Sequence, residues 1–351
     1  IAPVDFGGFS SSNPHGANFH LWVGGADSDV TGCASQNGAQ SFHLHDRAEQ
    51  IRQSISLHGV GHGDFHDGGG GSWAAGPCKV GRSQTHEIMK GYLLPLVKHH
   101  IEGNIPAKDF LWRQYERFHP IGAPVNDACV VADLMYRDGE ESGKFVIDDF
   151  ESNSSPILSS SGGAVNFTVT DLSEGHLDDG NTTFNHDAGD AFNGFTMDGS
   201  SDNSNGIVFS YDGAVDRSMT FDLIPDQADV TRFAYLSFRA AQGTRHPNTT
   251  AYLGDTTFRV SLIDGAGAES SIGIGAYGGG IEEPYQRGGC GTSGVGWNSE
   301  FETIRIRLAD FQNNGSPLDL TDIAAVRFDF GATFGTPSGR IGLDDLELTT
   351  D

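Results

Sequence analysis

Cysteine is scarce in this chain, with four (Cys33, Cys78, Cys129 and Cys290) among 351 residues. None forms a C-x-x-C pair, so a zinc or dithiol redox motif has no support. Long apolar runs are missing too. Stretches such as Tyr92–Val97 fall far short of the roughly 20 residues that a membrane-spanning helix needs. Basic charge is thin: 21 Lys and Arg stand against 47 Asp and Glu, a net charge of −26. That field repels nucleic acid and anionic membranes, so neither is an expected partner. The chain opens at Ile1 with neither Met nor a signal-type segment, which reads as a processed or truncated N-terminus.

The remaining composition suits a folded protein. Hydrophobic residues make up 37% of the chain and aromatics 10%, enough for buried cores, and the length suggests two domains. Charge divides them. Residues 1–139 hold 14 acids and 10 bases, whereas residues 140–351 hold 33 acids and 11 bases, with Lys144 the only lysine. The polar, glycine-bearing segment 138–143 reads as a linker. Beyond it, nine alternating segments recur between Gly, Asn, Asp and Ser turns. They are Ala164–Thr170, Gly206–Tyr211, Ser218–Leu223, Phe233–Arg239, Thr257–Ile263, Ser271–Tyr277, Thr303–Leu308, Ala324–Phe330 and Arg340–Leu348. Such spacing with almost no helical period predicts an all-β sandwich of jelly-roll type over 140–351.

Residues 1–139 follow another rhythm. Apolar runs ending at Val23 and Val60 read as buried strands, each passing into a glycine-rich turn with one titratable side chain, Asp27 or His62. An open α/β sheet places its chemistry there, beyond the carboxyl ends of its strands. Residues 38–50 read as a short helix entered through Ser41, and Ser83–Glu102 as a longer one that Pro95 should kink or divide. The segment Phe110–Tyr115 should then pack across the sheet or the domain junction.

These segments resemble the α/β-hydrolase superfamily. Trp22–Asp27 is similar to its strand-and-acid turn, Gly59–Phe65 to its histidine loop, and the following helix to its closing helix. The resemblance covers roughly residues 18–105 and implies the C-terminal portion of a hydrolase sheet over 1–139. It implies Asp27 as the acid and His62 as the general base of a Ser-His-Asp triad, in the chain order that fold uses. The Gly-x-Ser-x-Gly elbow is absent. Gly8–Ser12 lacks the closing glycine, and Gly70–Ala74 follows the histidine. The nucleophile is therefore expected from an N-terminal segment or a separate chain. A disulfide between Cys33 and Cys78 would tie the two loops in a secreted protein. Simpler readings stand beside these: a turn aspartate at Asp27 with Asp29 as rival acid, an inert loop histidine, or zinc on His58, His62, Asp64, His66 and Asp67.

The sandwich opens with Phe145–Glu151 and closes with Ile341–Leu348, both acidic. A jelly roll sets its first and last strands side by side, so hard oxygen ligands should gather there. The pair of ends resembles galactose-binding-like or carbohydrate-binding-module jelly rolls, and that resemblance implies a structural Ca²⁺ on Glu151, Asp344 and Asp149. A second acidic loop, Asp178–Asp187, is either another cation site or merely polar. Sugar stacking would fall to Trp297, with Tyr252, Tyr277 and Tyr285 as helpers. Together these features imply part of a secreted serine ester hydrolase, acting on an ester-type or carbohydrate-associated substrate. The alternative is a non-catalytic extracellular carbohydrate-binding, adhesion or matrix protein.

Overall fold

A computed structural model of the chain describes residues 16–30, 45, 48–112, 132–137, 143–177, 186–195, 204–277, 279–286 and 301–350. Most of the expected 38–50 helix, Cys33, Trp297 and most of the 178–187 loop lie outside those residues.

The first part is a three-stranded sheet. Strand β1 (Phe19–Gly24) pairs in parallel with β2 (Arg52–Leu57), which is flanked on its other side by antiparallel β3 (Ala132–Arg137). Leu21, Trp22 and Val23 are all buried, so both faces of β1 are covered, as a continuous apolar run in a parallel strand demands. Strand β2 is polar by sequence yet buried. Its Gln53 is satisfied, with Nε2 donating to the Leu111 carbonyl at 2.6 Å and Oε1 meeting His20 Nδ1 at 3.2 Å. Helix α1 (Arg82–Glu102) lays Ile88, Met89 and Tyr92 against Trp22, Ile55, Leu57 and Val60. It runs through Pro95 as one helix, so of the expected kink or division the division does not occur. Its buried anchors all precede the proline, so the missing amide falls where little packing depends on it. Gly103, at φ 65, closes the helix: its amide bonds to the His99 carbonyl, and the Asn104 amide to that of Lys98. Helix α2 (Ile105–Trp112) follows, and Leu111 packs on Ile51 and Leu96.

The expected α/β-hydrolase sheet is not supported, since β1 and β2 form the one parallel pair among the described residues. Strand β3 is antiparallel, and no strand pairs the outer edge of β1 among the described residues.

The second part is a two-sheet antiparallel sandwich. One sheet holds, in spatial order, β11 (Glu269–Gly273), β10 (Arg259–Asp264), β13 (Ile323–Phe330), β8 (Arg217–Asp222) and β5 (Val165–Phe167). The other holds β12 (Glu302–Arg307), β9 (Tyr235–Gln242), β14 (Gly339–Thr349), β7 (Asn205–Tyr211) and β6 (Thr170–His176). Strand β4 (Lys144–Asp148) lies along β14, so the first and last strands of the sandwich are neighbours. Between the sheets, Phe238 meets Phe328 edge to face, with ring centres 5.2 Å apart, and Phe258 and Phe209 each lie 5.0 Å from Phe330. Such aromatic packing carries much of the burial that holds two sheets together.

Candidate functional site

Asp27 sits in the turn that ends β1. Its amide bonds to the Gly24 carbonyl at 3.0 Å, and its carboxylate is 2% exposed. Oδ1 accepts the amides of Asp29 and Val30, each at 2.8 Å, which leaves Oδ2 to face the next loop. His62 occupies that loop, at the head of a single 3-10 turn (His62–Asp64) beyond β2. Its Nδ1 lies 2.9 Å from Asp27 Oδ2. The two residues taken from the sequence as acid and base thus meet. Burial pushes the Asp27 carboxyl upward, opposed by the two backbone amides and by His62.

Three supports fix this geometry. Glycine at position 63 is required, because a side chain there would strike the Gly71 carbonyl. Asp64 Oδ2 accepts the Gly61 amide at 3.0 Å and the Ser72 hydroxyl at 2.6 Å, closing the loop from inside. Arg82, at the start of α1, clasps the loop from outside. Its Nε and Nη2 reach the Gly63 carbonyl at 3.1 and 2.9 Å, and its Nη1 reaches that of Gly68. The strand-like segment 73–75 then pairs back onto Asp27. The Ser28 amide bonds to the Trp73 carbonyl at 3.0 Å, and the Ala75 amide to the Ala26 carbonyl at 2.8 Å.

Asp29 and Trp73 complete the surroundings of His62. The Asp29 carboxylate, 55% exposed, stands 3.6 Å from His62 Nε2. The Trp73 ring stacks on the imidazole at 5.9 Å between centres and 24° between planes. Sequence reasoning treated Asp29 only as a rival acid and gave no role to Trp73, Arg82 or Ser72. The glycine run followed by Ser72-Trp73 was the one available signal.

The zinc alternative does not assemble. His58 is buried against Tyr285, Asp64 is used within the loop, and His66 Nδ1 accepts the Gly68 amide at 3.0 Å. No group of three or more His, Cys, Asp or Glu is arranged to hold a metal among the described residues.

The sandwich acids meet other partners. Asp149 Oδ1 caps its own turn, accepting the amides of Glu151 and Ser152 at 3.0 and 2.9 Å, while Glu151 is exposed. Asp344, 1% exposed, pairs with the equally buried Arg239, and Lys144 Nζ meets Glu347 Oε2 at 3.2 Å. Asp148 is buried, and its carboxyl is pushed up to about 7 by desolvation, with Glu174 and Asp149 adding repulsion.

The expected sugar helpers separate. Tyr252 is exposed, but Tyr277 and Tyr285 are buried and cannot stack on a ligand. The Tyr285 hydroxyl instead donates to the Cys78 carbonyl at 2.6 Å, and that of Tyr277 to Asp310. Cys78 is disulfide-bonded, but its expected partner Cys33 lies outside the described residues.

No family model and no curated protein matches the chain. Solved structures similar to it include a family 11 carbohydrate-binding module from Clostridium thermocellum, in complex with a mixed-linked tetrasaccharide. That match has 15% identity and a TM-score of 0.34, covering 59% of this chain and 95% of the module. A family 30 carbohydrate-binding module is similar at 12% identity and TM-score 0.29, over 42% of this chain and 68% of its own. An exo-β-agarase is similar at 11% identity and TM-score 0.31, over 60% of this chain and 26% of its own. Likenesses at these scores carry no argument about function, and the sandwich is identified by its own strand order.

Proposed function

We propose that this chain is a carbohydrate-associated protein whose first sheet carries the acid and base of a serine ester hydrolase. The observation that carries this reading is the 2.9 Å contact between His62 Nδ1 and the buried, amide-held Asp27 carboxylate. A carboxylate so placed keeps the proton on Nδ1 and leaves the Nε2 lone pair free to act as a base. A serine hydroxyl from a segment outside the described residues would give its proton to Nε2 as its oxygen attacks the ester carbonyl. The imidazolium, stabilised by Asp27, would then protonate the departing alcohol. Water activated by the same nitrogen would split the acyl-enzyme, releasing the acid and restoring the serine.

A second reading is favoured by Asp29, since a carboxylate rather than a hydroxyl stands beside Nε2. In that reading the sheet is a scaffold, and the sandwich serves carbohydrate binding, adhesion or matrix assembly. Labelling of native material with a fluorophosphonate separates the two. The hydrolase reading expects serine labelling that His62→Ala abolishes. Absence of labelling in intact, folded protein would leave the binding reading.

A further inference from the structure

We propose that a cavity of the sandwich, between β4 and the loop 225–233, is a binding site for the ring of a neutral sugar. The proposal rests on the carbohydrate-associated reading of the chain and gives the ligand a place. The cavity encloses about 260 Å³, less than the roughly 300–1,000 Å³ of sites for drug-sized ligands, so it suits a small ring. Phe145 of β4 and Phe233 form its apolar wall, with ring centres 6.3 Å apart and 32° between planes. Phe233 belongs to the core and Phe145 packs against it, so the wall is anchored. The loop is held as well. The Phe233 amide bonds to the Val230 carbonyl at 3.0 Å, the Val230 amide to that of Leu320 at 2.9 Å, and the Ala234 amide to that of Thr349 at 2.8 Å. Gln227, also in the lining, donates from Nε2 to the Ser161 carbonyl at 3.2 Å.

Arg232 and Asp226 decide the ligand class. The Arg232 guanidinium lies 4.6 Å over the Phe233 ring and forms no ion pair among the described residues, so its donors are open at the cavity. Asp226 is exposed in the same lining and likewise has no hydrogen bond or ion pair among the described residues. Asp229 is committed: its Oδ1 accepts the Thr231 hydroxyl at 2.6 Å and the Thr231 amide at 3.0 Å. Open donors and an open acceptor therefore share one cavity with an aromatic wall. A simple anion would gain Arg232 but face the carboxylates of Asp226 and Asp229, and a simple cation would meet the reverse. A neutral ring bearing hydroxyls satisfies both, because each hydroxyl donates and accepts while the C–H face lies against Phe145. A free amino acid would also match the two charges, which makes it the contrasting ligand in the test.

The test titrates the full chain, labelled with ¹⁵N, with glucose, galactose, mannose, xylose and cellobiose, and separately with glycine and phenylalanine. At least one sugar should shift the backbone amides of residues 226–233 in a saturable way. Arg232→Ala and Asp226→Asn change exposed side chains, so each should keep the melting temperature while weakening that sugar about tenfold or more. Phe145→Leu, which keeps apolar bulk but removes the ring, should weaken it as well. A sugar bound equally well by Arg232→Ala and Asp226→Asn would overturn the cavity and leave the carbohydrate-associated reading standing. Binding of no sugar would overturn the cavity together with the binding reading of the sandwich. Shifts produced by an amino acid and by no sugar would overturn the ligand class. Fluorophosphonate labelling reports on His62 separately, so the hydrolase claim and the cavity can each fail without the other.

Discussion

Asp27 and His62 meet from glycine-rich turns 35 positions apart in the chain, at the ends of two buried strands. Their supports come from the helix and loop beyond. Arg82 reads as an ordinary helix residue, and only the folded loop shows it clasping the Gly63 and Gly68 carbonyls. Other histidines had no visible role either. His20 is held down to about 4 by burial and by its neighbours His100, His99 and His45. His246 is likewise held down to about 4, by burial, then by His186 and Arg340. In the unfolded chain both would titrate near 6.5. Between about 6.5 and 4 the unfolded state therefore binds more protons, and stability should fall as pH falls through that window. Asp148 acts in the opposite sense. Its raised folded value favours the protonated form, so its contribution declines as pH rises from about 3.8 toward 7. Urea unfolding across that range should show a shallower acid-side loss in His20→Asn than in the unmodified chain. It should also show a smaller alkaline-side loss in Asp148→Asn. A profile unchanged by either substitution would contradict these assignments.

Among the elements, the alternating strands of the sandwich core read well because inward Phe, Ile, Leu and Val side chains recur at a period of two. The edges read poorly. The segment Ala164–Thr170 proves to be β5 and the start of β6, broken at Thr168 and Val169, and the rest of β6 is too polar to announce itself. The end of Ser271–Tyr277 becomes a 3-10 turn over Ile274–Ala276. The neighbouring terminal strands were legible from their matching acidic ends, but their countercharges were not. Arg239 on β9 lies opposite Asp344 in register, so a side chain from a third strand neutralises the acid. Removing one partner of a buried ion pair strands the other charge, so Arg239→Met should cost about 3–5 kcal/mol, and pairing it with Asp344→Leu should recover most of that. Calcium on Asp149, Glu151 and Asp344 is the rival account of the same charges. It predicts that EDTA lowers the melting temperature and that Asp344→Ala removes the sensitivity. The ion-pair account predicts no response to EDTA.

Across the whole molecule, the two parts meet at Tyr285, a contact that no motif announces. Tyr285, assigned from sequence to sugar stacking, is 3% exposed and holds the carbonyls of Cys78 and Ala75 at 2.6 and 3.3 Å. Its ring packs on Gly76, where any side chain would collide with it, and lies 5.5 Å from the His58 ring. The sandwich therefore braces the strand segment that pairs with Asp27. Loss of the hydroxyl in Tyr285→Phe should cost about 0.5–1.5 kcal/mol, the net worth of a typical hydrogen bond. Hydrogen exchange should quicken in residues 73–80 while the sandwich core stays protected. Uniform loss of protection would mean that Tyr285 supports global stability instead.

The account turns on Asp27 orienting His62, and ¹⁵N histidine NMR of the intact chain tests that most directly. In the neutral imidazole, the proton of His62 should sit on Nδ1, facing Asp27, with Nε2 as the acceptor. A hydrogen-bonded Nδ1 proton should lie far downfield, and Asp27→Asn should abolish it or move the proton to the other nitrogen. A His62 ring protonated on Nε2, or one indifferent to Asp27→Asn, would contradict the account.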